Sequence, residues 1–145
     1  MNTFPPRTVI AHAGYRRERL PGEVVAMRLL DARRETLDTW FADCHKVMSA
    51  WRPGRRLRYL HDIRGAERVT PYATDKVIRV LRQMRYLPVT DGRGAILLTN
   101  DAVAALLASF FKRRPYANWH IHFFTAEEDA LRWLREGAPE GNPAG

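Results

Sequence analysis

The sequence predicts a single α/β domain, a mostly parallel sheet of about five strands with the first one antiparallel, accompanied by about four helices. Three observations carry this reading. Short β-rich runs alternate with stretches whose apolar residues recur every three or four positions. Capping and turn residues punctuate the changes between them. Finally, 145 residues, 46% of them hydrophobic, can bury one ordinary core without disulfides or a structural metal.

In chain order, TVIAHAGY (8–15) and GEVVAMRLLD (22–31) are β-rich, and the polar segment RRERLPG between them reads as the connection of a hairpin-like pair. RETLDTWFADCHKVMSAW follows, with Leu37, Trp40, Phe41, Cys44, Val47, Met48 and Trp51 on one helical stripe. Pro53 and Gly54 end that helix and turn the chain. RLRYLHDIRG (56–65) alternates Leu57, Tyr59, His61 and Ile63 with Arg58, Leu60, Asp62 and Arg64, the period of a strand. Thr70 and Pro71 form an N-cap and first-turn pair for a helix with core stripe Ala73, Val77, Val80, Leu81 and Met84. GAILLTN (94–100) reads as a buried strand, and Asp101 caps a helix carrying Val103, Leu106, Leu107, Phe110 and Phe111. NWHIHFF (118–124) is the last strand, with Thr125 and Glu128 as a capping box for AEEDALRWLRE. The domain therefore spans 1–136, and GAPEGNPAG (137–145), with nothing apolar to bury, is expected as a flexible tail. After the opening pair the elements alternate strictly, which implies right-handed crossovers between parallel strands.

Composition narrows the setting. Cys44 is the sole cysteine, so an intrachain disulfide and any multi-cysteine metal site are excluded, and a reducing, cytoplasmic location is expected. No apolar run reaches membrane-spanning length, and MNTFPPRT lacks the charged-then-apolar order of a secretory signal. The formal charge is +8, and 21 of the 24 basic residues are Arg. Basic clusters lie at Arg16, Arg17 and Arg19, at Arg52, Arg55, Arg56 and Arg58, and at Lys112, Arg113 and Arg114. They could neutralise nucleic-acid phosphates, yet no helix-turn-helix, zinc-finger or aromatic RNA-binding motif accompanies them.

Three pieces, GEVVAMRLLDA leading into a helix, YLHDIRG leading through a loop to a helix N-terminus, and the terminal FFTAEEDALRWL, give the chain a family likeness. Over residues 8–136 it resembles the anti-sigma-factor antagonist domains known as STAS, and more closely their bacterial SpoIIAA-like relatives. The resemblance implies a STAS-like fold and a regulatory role. Phosphorylated members carry an Asp-Ser-Ser-Gly motif after the strand matched by YLHDIRG, where this chain has Thr70, Pro71, Tyr72 and Ala73. Both serines are absent, which leaves Thr70 as the nearby phospho-acceptor.

Parallel sheets gather ligands beyond the carboxyl ends of their strands, where helix N-termini direct free N–H groups outward. That rim would hold Asp62, Arg64, Thr70, Thr99, Asn100, Asp101 and Thr125, a set suited to a phosphate or carboxylate. Three of them, Thr70, Asp101 and Thr125, also have work as helix caps. Asp62 and Asp101 would be the acid and base of an enzyme, but nothing in their spacing fixes a separation, and no catalytic residue is assigned. His120 and His122 share one face of the last strand, with His61 or His12 as a conceivable third metal ligand; no zinc-site spacing accompanies them, so no metal or other cofactor is expected. Cys44 and His45 are neighbours in sequence, but adjacent helical residues point about 100° apart, and Cys44 belongs to the apolar stripe.

The expected function is a non-enzymatic regulatory or binding module, acting through a protein partner or a small anionic or amphipathic ligand at the strand-end crevice. The alternatives are electrostatic nucleic-acid binding and the binding of a lipid or another apolar small molecule. Trp119, Phe123 and Phe124 leave room for a homodimer through an exposed edge, against intramolecular cover by Leu131 and Leu134.

Overall fold

A computed structural model describes residues 7–12, 14–50, 56–66, 70–85, 91–99 and 119–136. The elements are β1 (Arg7–His12), β2 (Tyr15–Leu20), β3 (Val24–Leu29), α1 (Arg34–Ser49), β4 (Leu57–Asp62), a 3-10 turn (Arg64–Ala66), α2 (Pro71–Arg85), β5 (Gly92–Leu97), β6 (Trp119–Phe124) and α3 (Glu127–Glu136). The helix expected after Asp101 and the tail at 137–145 lie outside the described residues.

The sheet has six strands in the order β1-β2-β3-β4-β5-β6. β1, β2 and β3 pair antiparallel, and β3 to β6 run parallel. One strand more than the sequence predicts is present, because RRERL is not a connection but most of β2. Its charged residues hide the strand in a hydropathy reading, yet each face is satisfied within the fold. On one side Arg17 pairs with Asp43 of α1 at 3.1 Å, and the Tyr15 hydroxyl donates to the same carboxylate at 2.6 Å. On the other, Glu18 pairs with Arg16 and Arg28. The β2–β3 hairpin turns at Gly22, whose φ of 84° is left-handed backbone that glycine adopts without a Cβ penalty.

Two cores lie on the two faces. Against α1 and α2 pack Tyr15, Met27, Leu29, Leu57, Tyr59 and Ile96 from the strands, meeting Leu37, Trp40, Cys44 and Met48 of α1 and Ala73 and Val80 of α2. This is the stripe expected for α1, with Trp51 outside the described residues. Against α3 pack Leu20, Val24, Ala26, Leu60, Ala95 and Leu97, meeting Ala130 and Leu134. Every residue of β4 is buried, as its central place demands, and its two alternating sets divide between the cores as the sequence predicts. Phe124 and Leu131 pack against the α3 core and Phe123 against the other, each partly buried, and the Trp119 side chain lies outside what is described.

Charge holds α3 at both ends. Its first turn carries Glu127, Glu128 and Asp129, the sign that suits a helix N-terminus. At its far end the Leu134 carbonyl accepts from Arg58 Nε at 2.9 Å, and the Trp133 carbonyl from Arg93 Nη1 at 2.8 Å. Arg58 is 1% exposed and also reaches the Asp91 carboxylate at 2.9 Å. Burial lowers its pKa, and Asp91 opposes that loss.

Candidate functional site

The register fixes the rim. Arg28 stands beside Asp62, Asp62 beside Leu97, and Leu97 beside Phe124, so the chain just past these positions presents Leu30, Arg64, Thr99 and Thr125 along one edge. Thr70 follows from the 3-10 turn after β4 and donor geometry bears out its cap role: its Oγ1 accepts from the Ala73 N–H at 3.1 Å. Thr99 and Thr125 are exposed. Asn100 and Asp101 lie outside the described residues. Thr125 does not cap α3 as the sequence predicts. The first helical bond runs from the Ala130 N–H to the Ala126 carbonyl, which puts Ala126 at the cap.

Asp62 and Arg64 belong to one charge network at the rim. Arg64 Nε and Nη2 donate to the two oxygens of Asp62, each at 2.9 Å. Arg28 Nη1 donates to Asp62 at 2.9 Å and to Glu127 at 2.7 Å, and its Nε donates to Glu18 at 2.5 Å. Arg28 Nη2 and Arg64 Nη2 both reach Glu127 as well, at 3.2 Å. Three guanidiniums (Arg16, Arg28, Arg64) thus face three carboxylates (Glu18, Asp62, Glu127), and the formal charges cancel. Burial pushes the Asp62 carboxyl up, but the hydrogen bonds from Arg64 and Arg28 outweigh it and hold the group ionised below its ordinary range. For Arg28, burial works against the charge, and the bonds to Glu127, Glu18 and Asp62 more than restore it. Sequence reasoning missed Arg28, Glu18 and Glu127. The available signal was a charged residue inside an otherwise apolar strand, VVAMRLL, which has to find a buried partner.

Past the end of β3, Leu30 is 52% exposed, the exposed large hydrophobic among the described residues. Gly65 of the 3-10 turn holds it there by close approach. A Cβ on Gly65 would overlap the Leu29 carbonyl oxygen and come within 2.7 Å of the Leu30 backbone. Among the described strands the order never reverses, so the topological switch point at which open α/β sheets gather ligands is not formed by them.

The remaining candidates are dispersed. His61 lies on the α1 and α2 face, its ring 5.3 Å from that of Tyr59. His122 stacks on Trp133 of α3 at 4.4 Å on the opposite face, with His120 beside it by alternation. His12 is in β1, at the other end of the sheet. Among the described residues no group of three or more His, Cys, Asp or Glu is placed to hold a metal. Cys44 is fully buried, its Sγ 3.3 Å from Met27 Sδ, while His45 is exposed. Burial pushes the thiol well above its ordinary pKa. Of the basic clusters, Arg16, Arg17 and Arg58 are taken up in internal pairs, and Arg52, Arg55 and Lys112 to Arg114 lie outside the described residues.

The chain thus forms an α/β sheet in sequential order, antiparallel at its start and parallel thereafter, with helices on both faces. A crystal structure of an uncharacterized protein of the DUF3478 family with a SpoIIAA-like fold, from Shewanella loihica PV-4, matches with a TM-score of 0.59 and 16% identity, over 92% of this chain and 98% of that one. The chain accordingly has a SpoIIAA-like fold. No family model and no curated protein matches the sequence. Among the described residues no helix is long and apolar enough to cross a membrane.

Proposed function

We propose that this chain is a non-enzymatic regulatory module that acts by docking a protein partner on the rim formed by the carboxyl ends of β3 to β6. One observation carries the reading. Among the described residues Asp62 and Arg64 of the rim are paired with each other, and the rim exposes Leu30 past the end of β3, with Thr99 and Thr125 past the ends of β5 and β6. An exposed apolar side chain on a rim that also carries hydroxyls suits a protein surface, whereas a small anion would compete with Asp62 and Glu127 for the Arg64 guanidinium. Of the described basic-cluster residues, Arg17 and Arg58 are held in internal ion pairs, which takes them out of reach of phosphates.

The test is site-specific photo-crosslinking in the source cells. A photoreactive residue is placed at Leu30, Thr99 or Thr125, and at Ala42 or His45 on the outer face of α1 as controls. One protein captured from the rim positions and not from α1, with the yield from Thr99 falling when Leu30→Asp is added, supports the reading. Equal capture from both faces, or none, refutes it, as does a turnover activity of the purified protein that vanishes in Asp62→Ala.

A further inference from the structure

At the rim, the exposed apolar residue and the charge network come together at the 3-10 turn. The turn lies against the end of β3, where a Cβ on Gly65 would fall 2.3 Å from the Leu29 carbonyl oxygen and 2.7 Å from the Leu30 carbonyl. Arg64, next to Gly65 in the chain, is thereby brought to the same stretch of rim as Leu30. Its guanidinium is fixed but not saturated. Nε and Nη2 donate to Asp62, and Nη2 also donates to Glu127. Among the described residues Nη1, which carries two N–H donors, meets no acceptor, and the side chain is 38% exposed. Two carboxylates hold the planar fork from one edge, so a group that docks on the other loses little side-chain entropy.

Charge decides what suits that free edge. The network of Arg16, Arg28 and Arg64 with Glu18, Asp62 and Glu127 is already neutral, and the first turn of α3 adds the exposed Glu128 and Asp129. The cations that follow Leu30 are engaged too, Arg33 with Asp31 at 3.2 Å and Arg34 over the Tyr72 ring at 4.4 Å. A further carboxylate would crowd Asp62 and Glu127 around one guanidinium, whereas a neutral acceptor takes the N–H without that repulsion. The chain makes this kind of bond elsewhere. Arg58 holds the Asp91 carboxylate through Nη2 at 2.9 Å and gives Nε to the Leu134 carbonyl, also at 2.9 Å. Arg93 gives Nη1 to the Trp133 carbonyl at 2.8 Å.

We propose that the protein seated on the rim presents a peptide segment whose main-chain carbonyl accepts from Arg64 Nη1, beside an apolar side chain set against Leu30, and that it brings no carboxylate to this contact. The inference rests on the rim being a docking surface and specifies the chemistry of what docks there.

Peptides stand in for the partner in the test. A random linear-peptide phage library is depleted on Leu30→Asp and then selected on the native chain at pH 7, so that the survivors are those that need the rim. Their affinities are compared with those for Arg64→Met, in which Arg28 still serves both Asp62 and Glu127. Should Arg64→Met not fold, Arg64→Lys, which keeps a cation beside Asp62, takes its place. Expected are survivors with no requirement for Asp or Glu, whose dissociation constant rises about tenfold in the variant. Between roughly 50 and 500 mM salt it should change less than about threefold. Survivors that bind the variant as well as the native chain, or that require a carboxylate or weaken steeply with salt, overturn this inference and leave rim docking standing. An empty selection overturns rim docking and this inference with it.

Discussion

His61 gives the sharpest quantitative expectation. Its ring is buried among Trp40, Tyr59 and aliphatic walls, and desolvation alone depresses its pKa from 6.5 to about 4. Above pH 6.5 the imidazole is neutral in both folded and unfolded chains, and the fold keeps its full stability. Between pH 6.5 and 4 the unfolded chain takes up a proton that the folded one refuses, so stability falls with a slope of about 1.4 kcal/mol per pH unit. Below pH 4 both states are protonated and the loss is complete, at about 3 kcal/mol, a large share of the 5–15 kcal/mol typical of a domain. The assay is urea unfolding at half-unit pH steps from 7.5 to 3.5, on the native chain and on His61→Phe. Carboxylates titrate alike in both proteins, so the difference between the two curves isolates the imidazole. It should be flat above pH 7 and shift by about 3 kcal/mol toward the variant by pH 4. A difference that stays constant across the range would refute the burial argument.

Three further outcomes follow from the geometry. Arg28→Ala leaves Glu18 with Arg16 alone and Asp62 and Glu127 with Arg64 alone, so three carboxylates share two cations, and urea unfolding at pH 7 should show a loss of about 2–4 kcal/mol; a loss below about 1 kcal/mol would mean that solvent already screens the network. Gly65→Ala should cost roughly 1–3 kcal/mol because its Cβ meets the Leu29–Leu30 backbone, which cannot rotate away as a side chain would, and a native melting temperature would contradict that contact. Thr70→Ala removes the bond to the Ala73 N–H and should cost about 1 kcal/mol, recovered for the most part by Thr70→Ser, which keeps the capping hydroxyl.

The sheet, the α1 stripe, the division of β4 between two cores and the Thr70 cap were all legible in the sequence, because each rests on local periodicity or local chemistry. β2 was not. RRERL has the composition of a solvated turn, and only the arrival of Asp43 from α1 and Arg28 from β3 makes a strand of it. The rim residues were legible as a row, since register follows from the alternation of strands and helices. Their state was not, because the partners of Asp62 and Arg64 come from 34 and 63 residues away in the chain. Thr125 shows the reverse case, a capping-box pattern present in the letters and displaced by one residue in the backbone.

The strictly sequential strand order bears on how the chain comes off the ribosome. Every strand after the first meets an earlier neighbour that has already been synthesised, so the sheet can widen one segment at a time without waiting for a later piece to be inserted. The exception is the layer supplied by α3. Until Glu127–Glu136 emerges, the apolar side formed by Leu20, Val24, Ala26, Leu60 and Leu97 is uncovered and Arg28 lacks its Glu127 partner. Nascent chains that stall before this last helix are the ones a chaperone would hold.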